Sequence, residues 1–428
     1  MTGKRRAGDS PRPTPPPYVE TTPGAVIAPR KTRRELRAER RRQRRRKLGA
    51  FGVAAVVIGV LIAAAAIGFG VHSATSGSST PRDPETTLLV SLRGADGSAL
   101  ASMLAAHDVK QKQGVELLVP GRLITDVCGF GTQQFGQITT LPGGAGLARR
   151  ALSQVLGNAT IDGSWTMSTA QLARLVDTVG GVTVDVDTDV TQPAPGGTTV
   201  VVMQTGKGQH LNGSRAALFA SYLGPGEDAT AVLSRFQSVF QAAIGALPSK
   251  PAQAQKVLAR AGVTTTLAAD KTATLLTSLA HDEQTSSLLP VDLPTKPIDT
   301  GSGTTSYRLD QQQVTALVRQ QLAASLPASS QQKHARVLIE NGAGSPGLVQ
   351  SACDRLLPAG YGFAGSGNAP NFNYTKSQII VFDTTVAAAR LGDDVAARLR
   401  LPQADVVASS QGQNVADVVV ILGRDYRP

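Results

Sequence analysis

The stretch from Leu48 to Val71 constrains this chain most, because its twenty-four residues include no Asp, Glu, Lys, Arg, Asn or Gln. As an α-helix it would be about 36 Å long, enough to cross a hydrocarbon core of roughly 30 Å. A lone segment in a bilayer must be helical, since only a helix pairs its own backbone N–H and C=O groups. We therefore predict a single transmembrane helix over 48–71. A buried core helix and a cleavable signal peptide are the alternatives, but the long N-terminal extension favours an uncleaved anchor.

Positive charge is concentrated in the residues N-terminal to this segment. Residues 1–47 hold 16 Lys and Arg against 4 Asp and Glu, a net charge of +12, and the whole chain, with 43 against 31, also has +12. Such a basic run can bind nucleic acid or anionic lipid. Basic residues beside a membrane span stay on the cytoplasmic side, however. We therefore expect a single-pass plasma-membrane protein with a cytoplasmic N-terminus, extracytoplasmic domains, the bilayer as a partner and no nucleic-acid partner.

Changes of composition divide the chain into six parts. The N-terminal part is rich in Pro and Arg, and the segments after the apolar run and before the last hundred residues are short and polar. Such compositions predict disorder or linkers rather than packed structure. The predicted parts are a disordered basic cytoplasmic tail, 1–47; the transmembrane helix, 48–71; a linker, 72–84; a first folded domain, 85–326; a second linker, 327–334; and a small C-terminal domain, 335–428.

Strand and helix patterns alternate in both folded parts. Buried strands are predicted at 87–92 and 115–119, and Ser168 with Gln171 forms a capping box that opens a helix over 169–179. A strand at 182–186 follows, and a continuous apolar stripe predicts a helix over 229–247 with Arg235 on its flank. Further predicted helices lie at 146–156, 251–261, 265–280 and 310–325; in the C-terminal part, strands are predicted at 335–340, 378–382 and 418–422 and helices at 346–357 and 386–399. The fold class is therefore α/β.

Isolated motifs point to no catalytic centre. Cys128 and Cys353 fit no zinc spacing; they form either a disulfide or two separate buried thiols, and the pattern favours the thiols. The alternating Asp185, Asp187 and Asp189 lack the Gly and Glu of a calcium loop, so a solvated strand end is favoured over a cation site. Gly143 to Gly146 before a helix could hold a phosphate, although a structural turn is favoured. The five histidines form no nucleophile motif.

Several segments together resemble a known family. The segments Gly129-Phe130-Gly131-Thr132, 175–184 (Leu-Val-Asp-Thr-Val-Gly-Gly-Val-Thr-Val) and 206–213 (Gly-Lys-Gly-Gln-His-Leu-Asn-Gly) follow one another as in the LytR-CpsA-Psr family. The segments 336–342 and 416–426 resemble the LytR C-terminal domain that follows the enzyme domain in many actinobacterial members. Together these resemblances cover about 85–428. They imply a LytR-CpsA-Psr-like α/β domain followed by a small α/β LytR C-terminal domain.

The resemblance also implies an activity. Members of the family transfer a glycopolymer from a polyprenyl-pyrophosphate lipid to peptidoglycan at the outer face of the membrane. An apolar tunnel holds the lipid, arginines hold the pyrophosphate, and aspartates bind Mg²⁺ or assist the attacking hydroxyl. This arrangement is chemically reasonable, because guanidinium groups pair bidentately with phosphate oxygens and a divalent ion neutralises the leaving group.

The sequence departs from the family where that chemistry is located. The family's Pro-Arg-Asp triplet falls on Pro120-Gly121-Arg122, and the arginine pair expected after the helix 214–222 is absent, so that Arg235 is the one matching arginine. The remaining candidates for catalysis are Arg122, Arg235, Asp126 and Asp228, with Arg122 and Arg235 as candidate ligand-binding residues. One matching arginine cannot hold a pyrophosphate and its metal alone.

Three hypotheses follow. The favoured one is a cell-envelope protein that binds a lipid carrier, cell-wall polymer or envelope partner without catalysis, and for it no cofactor is predicted. The first alternative is an active glycopolymer transferase with a rearranged site, for which Mg²⁺ would be required. The second alternative is an envelope scaffold in which neither domain binds glycan.

Overall fold

The computed structural model describes residues 85–195, 197–299, 305–326, 335–401, 405–409 and 415–428. The predicted membrane span at 48–71, the tail before it and the two linkers lie outside these residues. Among the described residues no helix has the length and apolar character needed to span a bilayer.

The first part of the described chain is built on a mixed five-stranded sheet. Its strands lie in the order β11-β3-β2-β1-β6, with β1 antiparallel to β2, β2 antiparallel to β3, and the pairs β1/β6 and β3/β11 parallel. The strands β1, β3, β6 and β11 therefore run in one direction, and their carboxyl ends share one edge of the sheet. The bounds are β1, Thr86–Arg93; β2, Ala99–Asp108; β3, Gln113–Val119; β6, Gly163–Ser168; and β11, Leu288–Asp292.

Helices cover both faces of this sheet. One face packs on a core that holds Trp165, Phe236 and Phe240, and the opposite face packs on a second core that includes Phe135 and Leu152. On the first face lie α2, Thr169–Thr178; α3, Gly213–Ala220; α4, Ala229–Gly245; α5, Pro251–Arg260; and α6, Ala269–Gln284. On the second face lie α1, Gly144–Val155, and α7, Gln311–Gln321. The capping box predicted at Ser168 and Gln171 is present at the start of α2.

Two-stranded ribbons surround the sheet. The pairs are β4 with β5, β7 with β10, β8 with β9, and β12 with β13, all antiparallel. Short 3₁₀ turns occur at Phe135–Thr140 and Ala323–Ser325. The bounds are β4, Ile124–Val127; β5, Gly131–Gln134; β7, Val182–Val186; β8, Val190–Pro193; β9, Thr199–Met203; β10, Gly206–Leu211; β12, Thr295–Asp299; and β13, Thr305–Leu309.

The C-terminal part has its own five-stranded sheet, in the order β15-β14-β18-β16-β17. Strand β14 is parallel to both neighbours, and β16 is antiparallel to β18 and parallel to β17. The core contains Ile339, Leu356 and Leu399. The elements are β14, Arg336–Asn341; α8, Leu348–Leu356; β15, Gly362–Asn368; β16, Gln378–Val381; α9, Val386–Leu399; β17, Asp405–Ala408; and β18, Val418–Leu422.

A disulfide joins the two parts of the described chain. Cys128, directly after β4, is bonded to Cys353 in α8, and their Cα atoms are 6.5 Å apart. The sequence-based preference for two separate thiols is therefore wrong. The reason is tertiary: Cys128 belongs to the first part in sequence but lies in the core of the C-terminal part, and no spacing along the chain reports that contact.

The structure differs from the sequence-based predictions at two further elements. The strand patterns do not predict β2 at Ala99–Asp108, and the helix predicted at 265–280 spans Ala269–Gln284. Arg235, expected on the flank of an apolar stripe, is 2% exposed. The apolar spacing predicts α4 correctly, but it does not reveal that earlier segments of the chain, which carry Asp187, Tyr222 and Glu227, cover the polar side of the helix.

Candidate functional site

Two of the candidate residues lie close to one tyrosine beside the carboxyl-end edge of the first sheet. Arg122 follows β3, and its carbonyl oxygen accepts a 3.0 Å hydrogen bond from the backbone N–H of Tyr307 in β13. Asp228 is the N-cap of α4 and accepts hydrogen bonds from the backbone N–H, at 2.8 Å, and the hydroxyl of Thr230. Burial and the carboxylate of Asp228 raise the pKa of the Tyr307 phenol, and the charge of Arg122 opposes them.

Arg235 lies two turns into α4, and three residues accept hydrogen bonds from its guanidinium group. Its Nε and Nη2 atoms donate to the two oxygens of Asp187 at 2.8 and 2.9 Å. Its Nη1 and Nη2 atoms donate to the two oxygens of Glu227 at 2.8 and 2.6 Å. Nη1 also donates to the carbonyl oxygen of Tyr222 at 2.8 Å. We call Arg235, Asp187, Glu227 and Tyr222 the arginine clasp.

The clasp uses the whole donor capacity of the guanidinium. A guanidinium has five N–H groups, and the five hydrogen bonds to Asp187, Glu227 and Tyr222 use all of them. The hydrogen bonds that Arg235 donates to Glu227 and to Asp187 raise its pKa above the ordinary value, and the bond to Glu227 lowers the pKa of that carboxyl. The group also lies over the rings of Phe219 and Tyr222, at 5.9 and 5.6 Å from the ring centroids. No N–H remains for an outside anion.

The clasp has a clear structural role. It joins α4 to the turn after β7, through Asp187, and to the α3–α4 loop, through Glu227 and Tyr222. Glu227 also accepts a 2.7 Å hydrogen bond from the backbone N–H of Gly224, which closes that loop. With one guanidinium and two carboxylates, the clasp carries a net charge of −1, which disfavours a phosphate.

Asp126 lies apart from the other candidates. It is exposed on β4 and accepts a 2.5 Å hydrogen bond from the Thr132 hydroxyl of β5. The three alternating aspartates also separate, because Asp185 accepts from Gly208 N and Asp189 from Thr205, while Asp187 enters the clasp. Within the described ranges no group of three or more His, Cys, Asp or Glu side chains could hold a metal ion.

The residues present do not fit the Mg²⁺ that the family resemblance implies. The Asp228 carboxylate caps α4, and Asp187 and Glu227 each use both oxygens on Arg235. Oxygen ligands have to converge on the ion in near-octahedral geometry, whereas Asp187 and Glu227 both face Arg235 and Asp228 faces the first turn of α4. These three carboxylates therefore do not form a Mg²⁺ site.

The glycine-rich turn before α1 is structural. A Cβ atom on Gly144 would lie 2.4 Å from the carbonyl oxygen of Ile138, so this position requires the absence of a side chain. The nearby arginines have other partners: Arg149 donates to the Ile161 carbonyl at 2.9 Å, and Arg150 pairs with Asp354 at 3.3 Å. Both arginines thus have partners outside the turn, and the close approach at Gly144 supports the favoured interpretation as a structural turn.

One ionisable group that sequence patterns did not single out is buried in the first sheet. Glu116 of β3 is fully buried, and its Oε2 atom accepts from Gln237 and Gln241 of α4 at 2.8 and 2.7 Å. Its other oxygen has no hydrogen-bond partner in the part of the chain that the structure describes. Burial raises the pKa of Glu116 to about 7, against the two amide hydrogen bonds. The sequence signal that could have identified Glu116 is its position as a single acidic residue in an otherwise apolar strand, since buried acids are rare.

Three cavities lie away from the candidate arginines. A cleft of about 490 Å³ lies between β7, α4 and α6, with Asp185, Gln241 and Glu283 in its wall. A second cavity of about 260 Å³ lies between α5 and α6. A third, of about 430 Å³, lies between the β4–β5 ribbon and the C-terminal part. Neither Arg122 nor Arg235 lines any of these three.

Comparison with known proteins identifies two family regions. Residues 103–321 match the model of the LytR_cpsA_psr family, and residues 334–426 match LytR_C, described as LytR cell envelope-related transcriptional attenuator. No curated protein matches the chain.

Solved structures also resemble part of the chain. B. subtilis TagV is 17% identical, with a TM-score of 0.48 over 57% of this chain and 99% of that one. B. subtilis TagT is 17% identical, with a TM-score of 0.45 over 59% and 95%. A structure of TagT with bound octaprenyl pyrophosphate lipid is 17% identical, with a TM-score of 0.44 over 59% and 94%.

Proposed function

This chain belongs to the LytR-CpsA-Psr family, and from that premise we propose that it is a membrane-anchored envelope protein that binds a lipid-linked or wall-attached glycopolymer without transferring it. The family match to the cell-envelope-related C-terminal region supports the envelope assignment. The apolar segment 48–71 would anchor the chain in the plasma membrane, and the basic residues before it would keep the N-terminus in the cytoplasm.

The arginine clasp is the observation that carries the non-catalytic part of the proposal. Arg235 is the one arginine that matches the family pattern, and its guanidinium is saturated by Asp187, Glu227 and Tyr222. Exchanging these partners for a pyrophosphate would leave two carboxylates without a counter-charge, next to an incoming anion. Such a rearrangement is unfavourable on electrostatic grounds alone. Arg235 therefore holds the fold rather than a leaving group.

A binding experiment tests the proposal. Full-length protein in detergent should be retained on cell-wall sacculi, or should bind a polyprenyl-pyrophosphate-linked saccharide, and should release no polyprenyl phosphate from that lipid in the presence of Mg²⁺. If the protein is retained on neither material, the binding role is wrong and the scaffold hypothesis takes its place.

A second candidate function rests on Arg122. This side chain is half-buried beside Tyr307, and among the described residues no carboxylate pairs with it. It could therefore meet a phosphate, with Asp228 near the attacking group, as an active transferase with a rearranged site would require. Turnover that is lost in Arg122→Met and retained in the matched surface variant Arg308→Met would favour this function over the binding role.

A further inference from the structure

A groove lies between the two described parts of the chain, next to the disulfide. One wall is the β4–β5 turn at Gly129, Phe130 and Gly131, and the other is formed by α8 and the ends of β14 and β15. Its volume is about 430 Å³, within the usual range for small-ligand pockets. We call it the interdomain groove.

The groove lies where an α/β sheet most often binds ligands. Strands β14 and β15 are parallel and adjacent, and their last residues, Asn341 and Asn368, are register partners. In open α/β sheets, ligands bind in the crevice outside the carboxyl ends of the strands. Helix α8 begins at the same edge, and its N-cap, Gly347, provides no side-chain cap.

The groove is polar but uncharged. Its lining residues are Gly129, Phe130, Gly131, Asn341, Pro346, Gly347, Val349, Gln350, Ser366, Gly367 and Asn368, none of which is ionisable. The amides of Gln350 and Asn368 have no hydrogen-bond partner among the described residues, whereas Asn341 is used in a turn, where its Oδ1 accepts from Ala343 and Gly344. The groove thus offers free donors and acceptors without charge.

This lining selects one class of ligand. Among the described lining residues an anionic ligand would find no cation, and a cationic ligand would find no carboxylate. An uncharged saccharide presents hydroxyl and amide groups that can pair with Gln350, Asn368 and Ser366, and its apolar ring face can lie against the ring of Phe130. Without a ligand that offers such groups, the side-chain amides of Gln350 and Asn368 pair with water.

The two walls are held in fixed relation before any ligand arrives. Cys128, which precedes the β4–β5 turn, is bonded to Cys353 in α8. Arg150 of α1 pairs with Asp354 at 3.3 Å, and Gly129 donates its backbone N–H to the Ser366 hydroxyl at 3.3 Å. A preformed site avoids the entropy cost of ordering the walls upon binding.

We propose that the interdomain groove binds an uncharged saccharide unit of the envelope glycopolymer, an inference that rests on the proposed binding function and locates it. Phe130 supports the sugar ring, and Gln350, Asn368 and Ser366 bond its polar groups. Both family regions therefore contribute to one binding site.

The test titrates full-length protein in detergent with a panel of disaccharides by calorimetry: diacetylchitobiose, galactobiose, arabinobiose and mannobiose, with chitobiose as a charged comparison. Phe130→Ala and Asn368→Ala remove groove contacts. The matched controls are Phe372→Ala and Asn373→Ala, exposed residues of the C-terminal part that do not line the groove. Because the Asn368 side chain is exposed and makes no hydrogen bond among the described residues, its variant should fold normally.

The proposal expects at least one uncharged disaccharide to bind, with affinity reduced about tenfold in both groove variants and unchanged in both controls. The proposal is overturned if no uncharged disaccharide binds, or if the groove variants bind as tightly as the controls. Retention on sacculi is measured in parallel. Wild type and groove variants retained equally would refute the groove alone, whereas wild type that is not retained and does not bind the lipid-linked saccharide would refute the binding function itself.

Discussion

Replacing Arg235 by methionine tests the arginine clasp, because methionine keeps the apolar stem and removes the charge and all five N–H groups. The change leaves Asp187 and Glu227 close together without their cation. Removing one partner of a buried ion pair typically costs about 3–5 kcal/mol. Here the guanidinium is 2% exposed, but the side chains of Asp187 and Glu227 are 56% and 27% exposed, so water partly solvates the freed carboxylates. We therefore expect a loss of about 3 kcal/mol, at the lower end of that range.

Urea unfolding followed by the fluorescence of Trp165, the sole tryptophan, measures this loss directly. Arg122→Met is the matched control: it also removes a partly buried arginine, and we expect it to cost less than about 1 kcal/mol since no ion pair is broken. The triple variant Arg235→Met, Asp187→Asn, Glu227→Gln should recover part of the loss, because it leaves no unpaired charge. An Arg235→Met protein as stable as wild type would refute the structural role of Arg235.

Three further predictions concern the rest of the fold. Glu116→Gln should stabilise the protein at high pH. Because the pKa of the Glu116 carboxyl is raised from 4.5 to about 7, its own contribution to wild-type stability is fully present below pH 4.5 and is lost as pH rises through about 7. Over that interval the unfolding free energy of the variant should therefore increase relative to that of wild type by about 3 kcal/mol. Cys128→Ala with Cys353→Ala opens a closed loop with a sequence separation of 225 and should cost up to about 5 kcal/mol; Trp165 fluorescence and far-UV circular dichroism should then report separate transitions instead of one. Gly213→Ala places a Cβ atom 2.1 Å from the Ala173 carbonyl and should lower the melting temperature by several degrees, whereas Gly146→Ala, with open space around it, should not.

Periodicity predicted most of the regular elements, because their signals are local. The capping box of Ser168 and Gln171 and the apolar stripe of α4 both fell where the structure has them. The strand β2 was missed because Ala99–Asp108 is buried along most of its length, and a short apolar run without alternation does not separate a strand from a helix.

The site was less predictable than the fold. The motif pattern identified Arg235, but its partners Asp187 and Glu227 are 48 and 8 residues away in sequence, and no local rule selects them. The disulfide and the interdomain groove depend on the packing of Cys128 against the C-terminal part. Such contacts follow from tertiary packing, which the composition of each segment does not specify. The membrane span, its topology and the cellular location stay predictions.

The most direct test of the account is the reaction that the clasp should prevent. Full-length protein is incubated with a polyprenyl-pyrophosphate-linked saccharide, Mg²⁺ and peptidoglycan, an active LytR-CpsA-Psr transferase serves as the positive control, and the release of polyprenyl phosphate is measured. Because Arg235 is bound by Asp187, Glu227 and Tyr222, we predict release no faster than without protein. Release above that background which is abolished by Arg235→Lys, a variant that keeps the charge but not the five-donor geometry, would contradict the account.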